Sequence, residues 1–498
     1  MNVNPITRLD YPDPDVIRVE DTYYMVSTTM HFMPGCEILQ SFDLVHWEHV
    51  TYVYETLDHT DAQQLKSGQN IYGQGMWAAS LRYHEGRFCI CFVANDTRKT
   101  YLYTSEKIDG PWKKQLIEGF YHDGSLLFDE DGRNYIVYGN DEIWITELNE
   151  DLTAPKKDGL HRLLVSDHKN PELGYEGSHI QKINGYYYIF LVHSLRDRWM
   201  RTEACFYSDS LEGEFTGGDV LCDDRGYCGQ GVAQGGIVDT PDGKWYAMLF
   251  QDSGAVGRIP ILLPVTWKDH FPLFEQNGHV PEEIEVHSTR PGYIYQPLVG
   301  SGDFCNGLLP RWQFNHDPDP RYYHLDALQG TYTITTREVC TELTQAVNTL
   351  TQRMSYPSCA AEVTVDASAL KEGDIAGLCA LQSCYAAVGI TKHHGKYEVL
   401  MLDKKEDGIL DMTEGTVVES HQMDFRLEAD FCNMKDEARC YYRVNKGDWL
   451  PIGTVHKLYF KLDHFTGCRF GLFCYAAEET GGSACFRDFK YYDVDEIS

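Results

Sequence analysis

Three acidic residues share one spacing. Asp13, Asp123 and Glu176 each stand nine residues before a tight-turn position, and Trp77 and Gln234 stand at the same offset from two further turns. Carboxylates brought to one hollow suit acid–base chemistry. Like charges buried together push at least one pKa upward, and such perturbed groups mark functional sites. Cleavage of a glycosidic bond needs this set: one carboxylic acid protonates the leaving oxygen while another carboxylate activates water or attacks directly. Asp15 competes with Asp13, because residues two apart on an extended chain share a face. The common offset favours Asp13.

The elements that must position these residues repeat five times. An apolar run, a turn and an aromatic-rich run recur at Val16–Met25, Leu81–Phe88, Leu126–Tyr135, Ile180–Tyr188 and Ile237–Tyr246. Asn-Gly or Asp-Gly between such runs signals a β-hairpin. The turns fall at 22, 86, 132, 185 and 243, a spacing that suits four-stranded blades with their loops. A second echo, Ser41–Trp47, Ser105–Trp112 and Ser208–Phe215, fits the outer part of each blade. No long stretch carries a helical apolar period. The chain therefore reads as all-β: a five-bladed β-propeller over 1–290, a linker over 291–307 and a β-sandwich over 308–498. Equivalent positions in a propeller lie at equal radius, so the five residues at the common offset should ring the axis at one end.

Composition limits the partners. The formal charge is −32, from 43 basic and 75 acidic residues. Such a chain repels phosphate backbones and offers no basic patch to an anionic membrane. No apolar run has the ~20 residues of a membrane helix. The first residues have neither the basic nor the apolar part of a secretory signal, and the 16 cysteines lack metal-type spacing. Cytoplasmic residence with reduced cysteines is expected. Aromatic residues make up 13% of the chain, which suits both β-strands and the C–H faces of sugars.

The ordered motifs resemble glycoside hydrolase family 43. They are Tyr11-Pro12-Asp13-Pro14-Asp15, Met76-Trp77-Ala78-Ala79-Ser80, Asp123-Gly124-Ser125-Leu126 and Glu176-Gly177-Ser178-His179. The remainder resembles the C-terminal sandwich of the family's β-xylosidase branch, through Trp312–His316, Asn348–Arg353 and Phe465–Gly471. The resemblance implies an inverting mechanism, with Asp13 as general base, Glu176 as general acid and Asp123 tuning and orienting Glu176. Its acidic neighbours are expected to raise the pKa of Glu176. The resemblance also implies substrate contacts from Trp77, Phe32 and Arg258, with His179 as a donor behind the acid. Gln234 stands where many members carry a histidine, and Phe465 is a candidate for the pocket rim.

The expected activity is exo-acting release of xylose, arabinose or both from short xylo- or arabinoxylo-oligosaccharides. A pure α-L-arabinofuranosidase is the alternative within this chemistry. A non-catalytic carbohydrate-binding propeller is the alternative of another class. No cofactor or catalytic metal is required by this chemistry; a structural calcium ion and a homo-oligomer stay open at this stage.

Overall fold

The computed structural model describes residues 2–274 and 279–493. The parts of the expected domains at 1, 275–278 and 494–498 lie outside the described residues.

Five four-stranded antiparallel sheets follow one another along the first part of the chain. Their innermost strands are Asp15–Val19, Ser80–His84, Ser125–Phe128, Glu176–Ile183 and Val232–Asp239. Each innermost strand packs against the next, and the fifth packs against the first, so the sheets close into a propeller. The N-terminal segment completes the ring. Asn2–Val3 pairs with Glu283–Ile284, Tyr11 N–H donates to the Arg258 carbonyl, and Asn4 exchanges hydrogen bonds with Leu262.

Apolar faces between blades supply the adhesion. Val26 and Ile38 of blade one meet Leu81, Ile90 and Phe92 of blade two. Equivalent buried clusters fill the other four interfaces, ending with Val238, Met248 and Leu262 of blade five against Val16 and Met25 of blade one. Polar staples add register near the axis. Asp15 accepts the Leu81 N–H, Ser80 accepts the Leu126 N–H and Ser125 accepts the Ile180 N–H. Each staple satisfies a buried donor that would otherwise cost about 1–3 kcal/mol.

The inner hairpins fall at or next to the expected turns. Glu85-Gly86 and Asn184-Gly185 both hold positive φ at each position, as two-residue hairpin turns require. The first turn differs from its expected position. It is formed by Glu20-Asp21, and Thr22 already begins the strand Thr22–Ser27. That turn has no glycine or asparagine to mark it.

The second part of the chain is a β-sandwich of two large sheets around a core that includes Phe314, Leu350, Leu378, Val388, Phe425 and Phe470. The division between the two parts is not clean in space. Phe32–Met33, which leaves blade one as a short excursion, pairs with Gln313–Asn315 and becomes an edge of one sandwich sheet.

Candidate active site

All five residues at the common offset line one cavity of about 630 Å³ at one end of the propeller axis: Asp13, Trp77, Asp123, Glu176 and Gln234. Local backbone geometry turns them inward. Asp13, Asp123 and Gln234 have φ of 53°, 48° and 65°. The left-handed region is costly for residues with a side chain, Asp being among the more tolerant, and such conformations concentrate at functional sites. In blades four and five the pairing register shifts just after the strand begins, between Glu176 and His179 and between Ala233 and Gly236. Bulges of this kind re-aim side chains. Gly177, at φ 65°, is required beside Glu176, because a Cβ there would lie 2.7 Å from Gln234 Cγ.

Asp13 is held from two sides. Arg258 Nη1 donates to its Oδ1 at 2.9 Å and Thr28 Oγ1 donates to its Oδ2 at 2.6 Å. The Arg258 guanidinium lies 4.3 Å from the centre of the Phe465 ring, so a sandwich side chain covers the ion pair. Phe465 also approaches Trp77, with ring centres 5.4 Å apart. Asp123 Oδ2 accepts the Gly177 N–H at 2.9 Å, which ties the acid of blade three to the backbone carrying Glu176.

Glu176 Oε2 accepts a 2.7 Å hydrogen bond from Asn140 and faces His122 Nε2 at 3.4 Å. His122 also lies 3.6 Å from Asp123. The Asp123 carboxylate raises the His122 pKa to about 9; burial opposes this and Glu176 adds to it. The imidazole is therefore a cation at neutral pH. Burial pushes Asp123 up to about 6, with His122 pulling it down and Glu176 and Asp13 pushing further up. For Glu176 burial also pushes upward, but His122, Arg201 and Asn140 outweigh it and hold the carboxyl below its ordinary range. This corrects the expectation of a raised Glu176. Below about pH 6, where the coupled pair takes up one proton, that proton goes to Asp123, because the positive imidazole and the Asn140 amide favour the charged form of Glu176.

His122, Asp123 and Glu176 bring three ligand atoms within 4.8 Å of one another. A cation held there would have to displace the proton on His122.

Two expected contacts are corrected. Phe32 is not among the cavity-lining residues: as an edge strand of the sandwich sheet it turns into the interdomain core with Tyr385 and Phe473, where the Arg469 guanidinium lies 3.4 Å from its ring centre. His179 does not line the cavity either. The strand shift after Glu176 points it to Asp15, with Nδ1 3.2 Å from Oδ1. Asp15 itself is buried and paired with Arg82 at 2.7 Å, so it belongs to the blade staples.

Several lining residues escaped the sequence reading. His122 and Asn140 act on the acids as described. Arg201 is pinned by Asp252 at 2.9 Å, and both face the cavity. Trp199, resting against Arg201 at 5.3 Å, and the sandwich residues Phe460 and Leu462 form a largely apolar rim. Only His122, adjacent to Asp123, carried any local signal. A second hollow, at the other end of the axis, is lined by Arg18, Arg82 and Lys182. Those cations are already paired with Asp239, Asp15 and Asp129, and Glu130, which also lines the hollow, lies 3.1 Å from Lys182.

Comparison with known proteins agrees with this geometry. Residues 3–272 match the sequence model of glycosyl hydrolases family 43, and residues 302–492 match that of the beta xylosidase C-terminal concanavalin A-like domain. A beta-xylosidase of Formosa agariphila is 26% identical over 99% of this chain and 89% of its own length. Xylosidase/arabinosidase 43B of Humicola insolens is 26% identical over 98% of this chain and 96% of its own. Among solved structures, a bifunctional GH43-CE protein of Bacteroides eggerthii superposes with a TM-score of 0.92 at 41% identity. That match covers 99% of this chain, which spans 64% of the length of that protein.

Proposed function

Because the chain belongs to glycosyl hydrolases family 43, we propose that it is an exo-acting, inverting enzyme that releases xylose, arabinose or both from short xylo- or arabinoxylo-oligosaccharides. The observation that carries this reading is the meeting of Asp13, Asp123 and Glu176, from three blades, in one cavity whose rim is completed by Phe460, Leu462 and Phe465 of the sandwich. A site walled from both domains suits the terminal sugar of a chain better than its middle. The names of the Formosa and Humicola relatives support xylose and arabinose as the sugars released.

In the proposed reaction Asp13, oriented by Arg258 and Thr28, takes a proton from water as that water attacks the anomeric carbon. Glu176 gives its proton to the departing oxygen. Glu176 must therefore be protonated in the substrate complex. A sugar that displaces water from the cavity disfavours two adjacent carboxylates further, so the pair takes up a proton on substrate binding, and Glu176 carries it to the leaving oxygen. Asp123, fixed by the Gly177 N–H, orients Glu176 and keeps that proton within the pair. Trp77 offers an aromatic face to the sugar, and Arg258 and Gln234 offer donors. The reaction as proposed draws on side chains and water alone. The 16 unpaired cysteines support a reducing, cytoplasmic setting.

Turnover of a chromogenic β-D-xylopyranoside beside an α-L-arabinofuranoside tests the reading. Hydrolysis of either supports it, and hydrolysis of the arabinofuranoside alone selects the narrower α-L-arabinofuranosidase. Turnover of neither, with arabinoxylan oligosaccharides also left intact, rejects it.

A further inference from the structure

Three histidines meet where the sandwich rests on the propeller. His31 comes from blade one, and His316 and His464 come from the sandwich. His31 and His316 are fully buried and His464 is 5% exposed. Their rings pack together, His31 to His316 at 4.9 Å and His31 to His464 at 5.9 Å between centres. Tyr72 of the propeller stacks flat on His464 at 3.8 Å and edges against His316.

The hydrogen bonds of His316 demand a neutral ring. Ile71 N–H donates to His316 Nε2 at 3.0 Å, so that nitrogen must keep its lone pair. His316 Nδ1 then carries the hydrogen and faces Asn315 Oδ1 at 3.3 Å. A second proton on the ring would set two donors against each other at Ile71. Both ring nitrogens of His31 are buried without a hydrogen bond of normal geometry; the nearby Asn315 side chain favours a charge there, and burial and Arg469 oppose it.

The cluster lies directly behind the catalytic pocket. His464 precedes Phe465, whose ring covers Arg258 and approaches Trp77. The same loop presses on the propeller at Gly73, where a Cβ would lie 2.7 Å from the carbonyl oxygens of Leu462 and Asp463. We propose that His31, His316 and His464 are positioning residues whose uncharged rings seat the 460–466 loop on the propeller and so hold Phe465 at the pocket. The inference rests on the reading of that pocket as the catalytic site.

The surrounding charges give the direction of its pH dependence. Arg469 faces His31, Asp463 and Lys404 face His464, Glu342 lies near Tyr72, and Asp317 turns to His59. Burial lowers all three imidazoles, that of His464 to about 3, with Lys404 assisting and Asp463 opposing. Above the ordinary imidazole value of about 6.5 the seated loop is fully favoured. Below it, the released state takes up protons that the seated state refuses. Each histidine then weakens seating by up to about tenfold per pH unit.

The test compares the wild type with His316→Gln, His316→Ala and the triple variant His31→Phe/His316→Gln/His464→Phe. Glutamine still accepts the Ile71 N–H but cannot be charged, and phenylalanine keeps the ring packing. KM and kcat on a chromogenic β-xyloside are measured from pH 4 to 8. Hydrogen exchange of the 460–466 segment, corrected for intrinsic rates, is followed at pH 4.5 and 7.5. The expected result is a steep, multi-proton rise of wild-type KM below pH 6 that is shallower in His316→Gln and in the triple variant. His316→Ala should show a raised KM at every pH, rescued by glutamine. The segment should lose protection at pH 4.5 in the wild type but keep it in the triple variant. Identical acid limbs of KM, or equal protection at both pH values in the wild type, would overturn the proposal. The exchange measurement decides it even if turnover fails. If the triple variant does not fold, His316→Gln alone carries the comparison.

Discussion

Arg258 Nη1 stands 2.9 Å from Asp13 Oδ1 at the floor of the cavity, and Phe465 of the other domain lies across the guanidinium at 4.3 Å. The attacking side of the reaction is thus built from the first and fifth blades and roofed by the sandwich. Asp13→Asn should lower kcat by about 10²–10⁴, the usual contribution of a positioned general base. Steady-state kinetics on a chromogenic β-xyloside checks this, and a variant within threefold of the wild type would remove Asp13 from the base role.

Glu176 should matter in proportion to how badly the leaving group needs a proton. Glu176→Ala is expected to lose about 10²–10⁴ in kcat/KM on xylobiose. With a leaving group as acidic as 2,4-dinitrophenol the loss should be far smaller. Equal losses on the two substrates would show that Glu176 does not act as the acid.

His122 should set where activity fails at high pH. Its positive charge lies 3.6 Å from Asp123 and 3.4 Å from Glu176 and lowers both carboxyl groups. The alkaline limb of kcat/KM should reflect loss of the proton shared by that pair, near the value of about 6 held by Asp123. In His122→Asn the cation is gone, the proton is held more tightly, and the limb should move to higher pH. A limb that stays in place or moves down would contradict the assignment.

Asp15 should be a stability residue, although it lies two positions from Asp13. Its Oδ2 meets Arg82 Nη1 and the Leu81 N–H, each at 2.7 Å. Asp15→Ala leaves a largely buried guanidinium unpaired and should cost about 3 kcal/mol of unfolding free energy, read by urea denaturation. The fraction that remains folded should still turn over substrate, unlike Asp13→Asn.

Much of this arrangement is legible in the chain because it depends on local rules. Hairpin residues such as Asn184-Gly185 mark the inner turns, and counting back from them reaches Trp77, Asp123, Glu176 and Gln234, while Asp13 is reached by the same count from Thr22, the first residue of the following strand. Residues reaching the cavity from other strands follow no such ruler. Asn140 ends the second strand of its blade and Arg201 begins the third of the next, and loop lengths before them differ from blade to blade. The fate of Phe32 depends on pairing with Asn315, almost 300 positions away, which no neighbouring residue announces. The direction of the Glu176 shift is hidden from the sequence for a related reason. Counting acids predicts a raised value, but the imidazole of His122 is recognised as a partner only in three dimensions.

The claim on which the rest depends is that water attacks from the Asp13 side while Glu176 releases the leaving group from the other. Proton NMR of the first sugar freed from a β-xyloside, recorded before mutarotation, tests it most directly. The account predicts that α-xylose appears first. Initial accumulation of β-xylose would mean retention through a covalent intermediate and would contradict it.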